Sequence, residues 1–303
     1  MTSYRYVTAD VFTSTRFGGN QLAVLPNASG LSDDQMLAIT REFNYAESTF
    51  VFPPGDARNA RRVRIFTPGG EVPFAGHPTV GTAFVLASIG DLALAGAETR
   101  IVLEENVGPV PVLIRARDGK PVFCQLTASR LPEIGHELPP AADLARVLSL
   151  DEDDILVGEY GPQVVSVGLE FAFVPLRDRG AVRRARLRQD AWEESLSGTD
   201  GANLFIFALD AEEPGHQVRA RMFGPGVAVP EDPATGSACA ALGGYLAARA
   251  RETDGTLRWV VEQGYEMGRP SILEVEADKR GGKVTATRVG GGSVLVCEGT
   301  ITT

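Results

Sequence analysis

A chain of 303 residues with 44% apolar and 22% charged residues has an ordinary globular composition and about twice the usual domain length, so two domains are expected. A net charge of −10 and a pI near 4.9 argue against nucleic acid or an anionic membrane as a main partner, since both require basic patches. No apolar run reaches the roughly 18 residues of a membrane-spanning helix, and Met1-Thr-Ser-Tyr-Arg-Tyr-Val lacks a signal-peptide pattern. Cys124, Cys239 and Cys297 have neither metal-ligand spacing nor an even count, so a cytoplasmic protein is expected.

Along the chain, residues 4–12 alternate and are rich in strand formers, and Gln21-Leu-Ala-Val-Leu25 continues them after the turn Phe17-Gly-Gly-Asn20. Ser32 with Gln35 three residues on predicts a capped helix whose inner face carries Met36, Ile39, Thr40 and Phe43. Strands are predicted over 48–52 and 63–66, then a helix from Pro78 to Ile89 that is apolar on every side and so buried on every side. In the second half an amphipathic helix is predicted over 141–148 and strands over 164–168, 171–175, 203–208 and 219–223. A helix from about Thr235 to Arg251 follows, rich in Ala and Gly, as suits a helix that strands approach closely. Strands over 257–262, 271–276, 283–289 and 293–299 complete the chain, and Gly290-Gly-Gly-Ser293 reads as a hairpin turn.

Two segments about 157 residues apart share one plan. Phe66-Thr-Pro-Gly-Gly-Glu-Val-Pro-Phe-Ala-Gly-His-Pro-Thr-Val-Gly-Thr-Ala83 and Phe223-Gly-Pro-Gly-Val-Ala-Val-Pro-Glu-Asp-Pro-Ala-Thr-Gly-Ser-Ala238 each run from an aromatic strand end through a Pro/Gly turn and a Val-Pro step. Each then enters a small-residue helix. The expected fold is therefore α+β: two pseudosymmetric domains, each a barrel-like sheet wrapped around a central helix, with the active site in the cleft between them. The expected halves are residues 1–126, onto which the final strand 293–303 packs back, and residues 127–292. A single large α+β domain is the plainer alternative.

A helix N-terminus leaves N–H groups unpaired and carries partial positive charge, so the two helix starts can hold a carboxylate or an enolate oxygen. Gly76 and Gly236 would let a substrate come close to that backbone. His77 is one of three histidines, and His136 and His216 lie in polar, loop-like stretches. Its place in Gly76-His77-Pro78, at a buried helix mouth, marks it for chemistry rather than packing. Asp232 and Ser237 flank the second helix start, where a turn aspartate and a capping hydroxyl are the ordinary alternatives. Glu47, between Ala46 and Ser48-Thr-Phe50, is a candidate general acid–base group if partly desolvated, and otherwise a surface loop acid. There is no Walker loop, no Rossmann fingerprint, no G-x-S-x-G and no metal spacing, so neither a metal nor an organic cofactor is expected.

At these residues the chain resembles the phenazine-biosynthesis PhzF-like family, which has the diaminopimelate epimerase fold. The likeness runs along nearly the whole chain through Asp10-Val-Phe-Thr13, Phe17-Gly-Gly-Asn-Gln-Leu-Ala-Val24, Ala46-Glu-Ser-Thr-Phe-Val51, Arg64-Ile-Phe-Thr-Pro68 and Pro73-Phe-Ala-Gly-His-Pro-Thr79. It continues through Glu231-Asp-Pro-Ala-Thr-Gly-Ser-Ala238, Gln263-Gly-Tyr-Glu-Met-Gly-Arg-Pro-Ser271 and the closing Gly-rich segment. Gln21 departs from the proline usual in the family.

The resemblance implies a homodimeric, cofactor-independent isomerase that moves a proton and a double bond within a small carboxylic acid. In phenazine-pathway members that acid is trans-2,3-dihydro-3-hydroxyanthranilate. It assigns the acid–base role to Glu47, with His77, Asp232 and Ser237 supporting it. Related two-base racemases carry a cysteine at each helix mouth; the matching positions here are Ala75 and Ala234, which removes the thiol pair. Two other readings stay open: a racemase or epimerase that uses Glu47 with Asp232 or His77, and a binding protein that kept the fold without catalysis.

Overall fold

The protein, a computed structural model that describes residues 1–227 and 229–303, forms two compact units, Met1–Ser129 with Val289–Thr303, and Arg130–Arg288. In the first unit the elements are β1 (Ser3–Val11), β2 (Asn20–Leu25), α1 (Asp33–Phe43), β3 (Glu47–Phe52), β4 (Arg61–Thr67), β5 (Gly70–Val72) and α2 (Gly76–Ser88). The three-strand run β6 (Glu98–Glu105), β7 (Gly108–Arg117) and β8 (Lys120–Thr127) follows. The last strand of the chain, β18 (Ser293–Thr302), pairs antiparallel with β1 from Ser3↔Thr302 to Val11↔Ser293.

The second unit holds β9 (Glu133–Ile134), α3 (Ala141–Leu148), β10 (Gln163–Ser166), β11 (Glu170–Pro175), α4 (Arg179–Arg184) and α5 (Gln189–Ser195). After these come β12 (Leu204–Ala208), β13 (Val218–Gly224), β14 (Val229–Asp232), α6 (Gly236–Arg249), β15 (Gly255–Gln263), β16 (Ser271–Arg280) and β17 (Lys283–Gly291), whose last residues, from Val289, belong to the first unit.

One pairing scheme serves both units. In the first, β1–β2 is antiparallel, β2–β3 parallel, β3–β4 and β4–β5 antiparallel, β4–β6 parallel and β6–β7 antiparallel. In the second, β10–β11 is antiparallel, β11–β12 parallel, β12–β13 and β13–β14 antiparallel, β13–β15 parallel and β15–β16 antiparallel. Each parallel step needs a crossover: α1 and the α4–α5 pair make the first, α2 and α6 the second.

The two second-crossover helices are the ones without a polar face. Every residue of α2 from Gly76 to Ala87 and every residue of α6 from Gly236 to Ala247 is buried. Burying side chains the size of Val80, Val85 and Leu86 stabilises by about 1.5–3 kcal/mol each, far more than helix propensity supplies. Close approach sets the small residues: a Cβ on Gly81 would lie 2.6 Å from both Leu22 Cδ2 and Val11 Cγ2, and one on Gly244 2.2 Å from the Pro132 ring.

By contrast α1 is amphipathic. Its Ser32/Gln35 capping box forms as the sequence predicts, Asn44 closes it in the left-handed region, and Met36 and Ile39 join Leu25, Phe50 and Phe66 in one core.

Several elements differ from the sequence reading. The central helices begin at Gly76 and Gly236, and the first therefore starts two residues before Pro78. Strands β6 to β8 were not legible because Pro109 and Pro111 interrupt β7, although both sit in antiparallel register with β6. The Gly-rich segment is no hairpin turn. Gly290 and Gly291 continue β17, and a Cβ on Gly290 would lie 2.6 Å from the Cys124 carbonyl of β8, so this glycine makes room for a neighbouring strand.

Candidate active site

Glu47 is the first residue of β3, held in parallel register opposite Leu22 of β2. His77 is the second residue of α2 and is 3% exposed. Helix and strand bring His77 Nε2 to 3.5 Å from Glu47 Oε2, while Nδ1 lies 3.1 Å from the side-chain nitrogen of Asn20. Burial pushes the imidazole down to about 3, and a hydrogen bond with the Gln21 backbone works in the opposite direction. At neutral pH the ring is uncharged. The 3.5 Å contact therefore has the separation of an ion pair but no cation, and His77 places no positive charge beside the Glu47 carboxyl.

The mouth of α2 is uncapped. Ala75, in the N-cap position with extended backbone, has no side-chain oxygen to offer, and the Thr79 hydroxyl turns back to the Ala75 carbonyl at 2.7 Å. Residues Gly76 and His77 thus open the helix with no side-chain cap on its first-turn N–H groups, the condition for holding an anion there.

The second unit reaches the same state by another route. Thr235, a residue that would ordinarily cap α6, donates its hydroxyl to Asp232 Oδ2 at the end of β14 instead. Gln263 locks this arrangement: its amide nitrogen donates to the Asp232 carbonyl at 2.8 Å and to Thr235 Oγ1 at 2.9 Å, and its oxygen accepts from Thr235 N–H at 3.1 Å. The chain beyond Gln263 must pass against Pro233, where Gly264 has φ +79° and a Cβ would meet the Pro233 carbonyl at 2.5 Å. Gly236 and Ser237 then occupy the first two places of α6, as Gly76 and His77 do in α2. Cys239, one turn in, is buried, and burial together with the Asp232 charge pushes its thiol up, away from thiolate.

In the first unit, then, the structure joins Glu47 with His77 beside Gly76; in the second it joins Asp232 with Thr235, the residue before Gly236 and Ser237. Asn20, Thr235 and Gln263 carry contacts that the sequence reading did not assign. Asn20 and Gln263 stand inside recognisable motifs, yet their partners lie 57 and 28 residues away. Among the described residues no group of three or more His, Cys, Asp or Glu is placed to hold a metal ion, and no helix is long and apolar enough to cross a membrane.

This arrangement has known relatives. The chain is 38% identical over 303 residues to an uncharacterized isomerase of Mesorhizobium japonicum, with 99% of each chain covered. It is 36% identical to a trans-2,3-dihydro-3-hydroxyanthranilate isomerase of Pseudomonas aeruginosa, with 98% of each covered. The fold superposes on the crystal structure of a Bacillus anthracis phenazine biosynthesis protein of the PhzF family with a TM-score of 0.89 at 24% identity, all of both chains covered. The profile of the phenazine biosynthesis-like proteins matches residues 9–299, and the chain belongs to that family.

Proposed function

We propose that the protein is a cofactor-independent isomerase that relocates a proton and a double bond in a small carboxylic acid, with trans-2,3-dihydro-3-hydroxyanthranilate as the first substrate to test. The observation that carries this reading is the Glu47 carboxyl held 3.5 Å from a neutral His77 at an uncapped helix mouth. In this reading Asp232, Gly236 and Ser237 serve the same reaction as Glu47, His77 and Gly76. The enzyme acts as a homodimer in the cytoplasm.

Chemically, Glu47 takes a proton from a carbon of the substrate, leaving an extended enolate whose charge spreads into the substrate carboxylate. N–H groups at the helix mouths stabilise that anion as it builds. Glu47, now protonated, returns the proton to a different carbon of the same face, and the double bond ends in a new position with no net change in atoms or charge. Ala75 and Ala234 at the two mouths leave no thiol there to act from the opposite face.

The test is incubation in deuterated buffer with trans-2,3-dihydro-3-hydroxyanthranilate, followed by ultraviolet absorbance and proton NMR. A new chromophore is the expected result, with protium carried over by Glu47 at the receiving carbon and deuterium there only in turnovers where the Glu47 carboxyl exchanges with the buffer first. Deuterium exchange with inversion at one carbon and no new chromophore would replace this reading with an epimerase, in which Asp232 or His77 serves as second base. Binding of the acid with neither exchange nor absorbance change would make the protein a non-catalytic binder.

A further inference from the structure

Glu105, at the end of β6, is 6% exposed, and the mechanism above gives it no role. Its Oε1 lies 2.6 Å from the Thr79 hydroxyl, in the first turn of α2, and that same hydroxyl lies 2.7 Å from the Ala75 carbonyl. One hydroxyl carries one proton. The Ala75 carbonyl can only accept and already takes the Thr79 N–H at 3.3 Å, so both close contacts of the hydroxyl carry a proton only if the carboxyl is the donor to Thr79. A protonated Glu105 satisfies both contacts, whereas a carboxylate would accept from Thr79 and leave the Ala75 contact without a proton. Its Oε2 makes no hydrogen bond to any described residue, a poor setting for a carboxylate and a tolerable one for a neutral acid.

The second unit supports this assignment. Glu104 accepts from the N–H groups of Gly55 and Asp56, as Glu262 does from those of Glu212 and Glu213, so Glu105 and Gln263 hold equivalent places at the ends of β6 and β15. Gln263, permanently neutral, ties the mouth of α6.

We propose that Glu105 is a positioning residue for the isomerisation: as a neutral acid it fixes the first turn of α2 through Thr79 and leaves the positive end of that helix for the substrate's carboxylate. The inference rests on the function proposed above. Burial pushes the Glu105 carboxyl up to about 8; only a proton donated by Thr79 to the ionised form would pull the other way. Other titratable groups on the surrounding elements are Arg100 and Glu104 on β6 itself, Arg61, Arg62 and Arg64 on β4, Arg115 and Arg117 on β7, Glu71 on β5, paired with Arg64, Asp10 on β1, Glu47 on β3, His77 on α2 and Cys124 on β8. Ionised Glu105 sets a negative charge at the first turn of α2, where it opposes an anionic substrate and so raises KM rather than lowering kcat.

Two readouts test this, one of them independent of any substrate. In the infrared, wild type at neutral pH shows a protonated-carboxyl C=O band that E105Q lacks and that titrates away above about pH 8; absence of such a band overturns the proposal even if no substrate is ever found. With trans-2,3-dihydro-3-hydroxyanthranilate, KM of the wild type rises by up to about tenfold per pH unit above pH 8, the limit for one linked proton, while kcat holds. E105A lowers kcat/KM by about tenfold or more through loss of the Thr79 anchor, and E105Q, whose amide can donate to Thr79, restores it and removes the alkaline rise. An E105Q enzyme with the wild-type KM profile overturns the proposal. Should E105Q fail to fold, T79V serves: the carboxyl band must remain but shift in frequency, and an unshifted band refutes the Thr79 contact. No turnover in wild type, with the infrared band present and assigned, would instead count against the isomerase reading alone.

Discussion

The uncharged state of His77 makes a stability prediction with a definite sign. An unfolded histidine titrates near 6.5, whereas burial holds this one down to about 3. Between those values the unfolded chain binds a proton that the native protein does not, so the contribution is fully present above pH 6.5 and is lost as pH falls toward 3. The slope is about 1.4 kcal/mol per pH unit, which sets a ceiling of about 5 kcal/mol over the whole interval. His77→Asn removes the titrating ring while keeping a polar side chain, and its fixed cost does not depend on pH. The assay is urea unfolding at several pH values, read by hydrogen exchange in peptides from α2, because both tryptophans, Trp192 and Trp259, lie in the second unit. The stability advantage of wild type over H77N should shrink steadily as pH falls from 6.5. Parallel curves for the two proteins would show that His77 is not buried neutral, and the reading of the Glu47 contact would fall with it.

Three further outcomes are expected. Glu47→Gln preserves the fold and ligand binding but lowers turnover at least about a hundredfold, the usual scale of general acid–base catalysis; near-wild-type turnover removes Glu47 from the mechanism. A thiol reagent labels Cys297, which is exposed, while Cys124 and Cys239 stay unlabelled in the native protein, and Ala at all three positions leaves turnover largely intact. Gly244→Ala gains about 1 kcal/mol of helix propensity but forces a methyl against the rigid Pro132 ring, where overpacking costs about 1–3 kcal/mol, so denaturant midpoints should fall.

Much of the architecture could be read from local pattern, because the information was local. The Ser32/Gln35 box, the all-apolar α2 and the amphipathic α3 each declare themselves within one or two helical turns. What stayed hidden was set by tertiary contact. Helices α4 and α5 span 6 and 7 residues, too short for a 3.6-residue period to emerge. Glu47 and His77 stood out by their neighbours in sequence, but the neutrality of His77 is a consequence of burial, and Asn20 meets its ring across 57 residues. Thr235 shows the limit of local rules most clearly. At the N-cap position a threonine ordinarily caps its helix, yet Asp232 and Gln263 together draw this hydroxyl away from it.

The pairing of β1 with β18 also bears on how the chain is made. About 280 residues separate the two strands, so at about 5–20 residues per second roughly 15–60 s of translation pass before β1 can meet its partner. Arg130–Arg288 is one continuous stretch and has all of its own strands before β18 exists. Of the two units, the one that contains β1 is thus the later to be completed on the ribosome. Until then one edge of β1 presents unpaired backbone, the kind of surface that recruits foreign strands, and this interval is where the nascent protein most needs a chaperone.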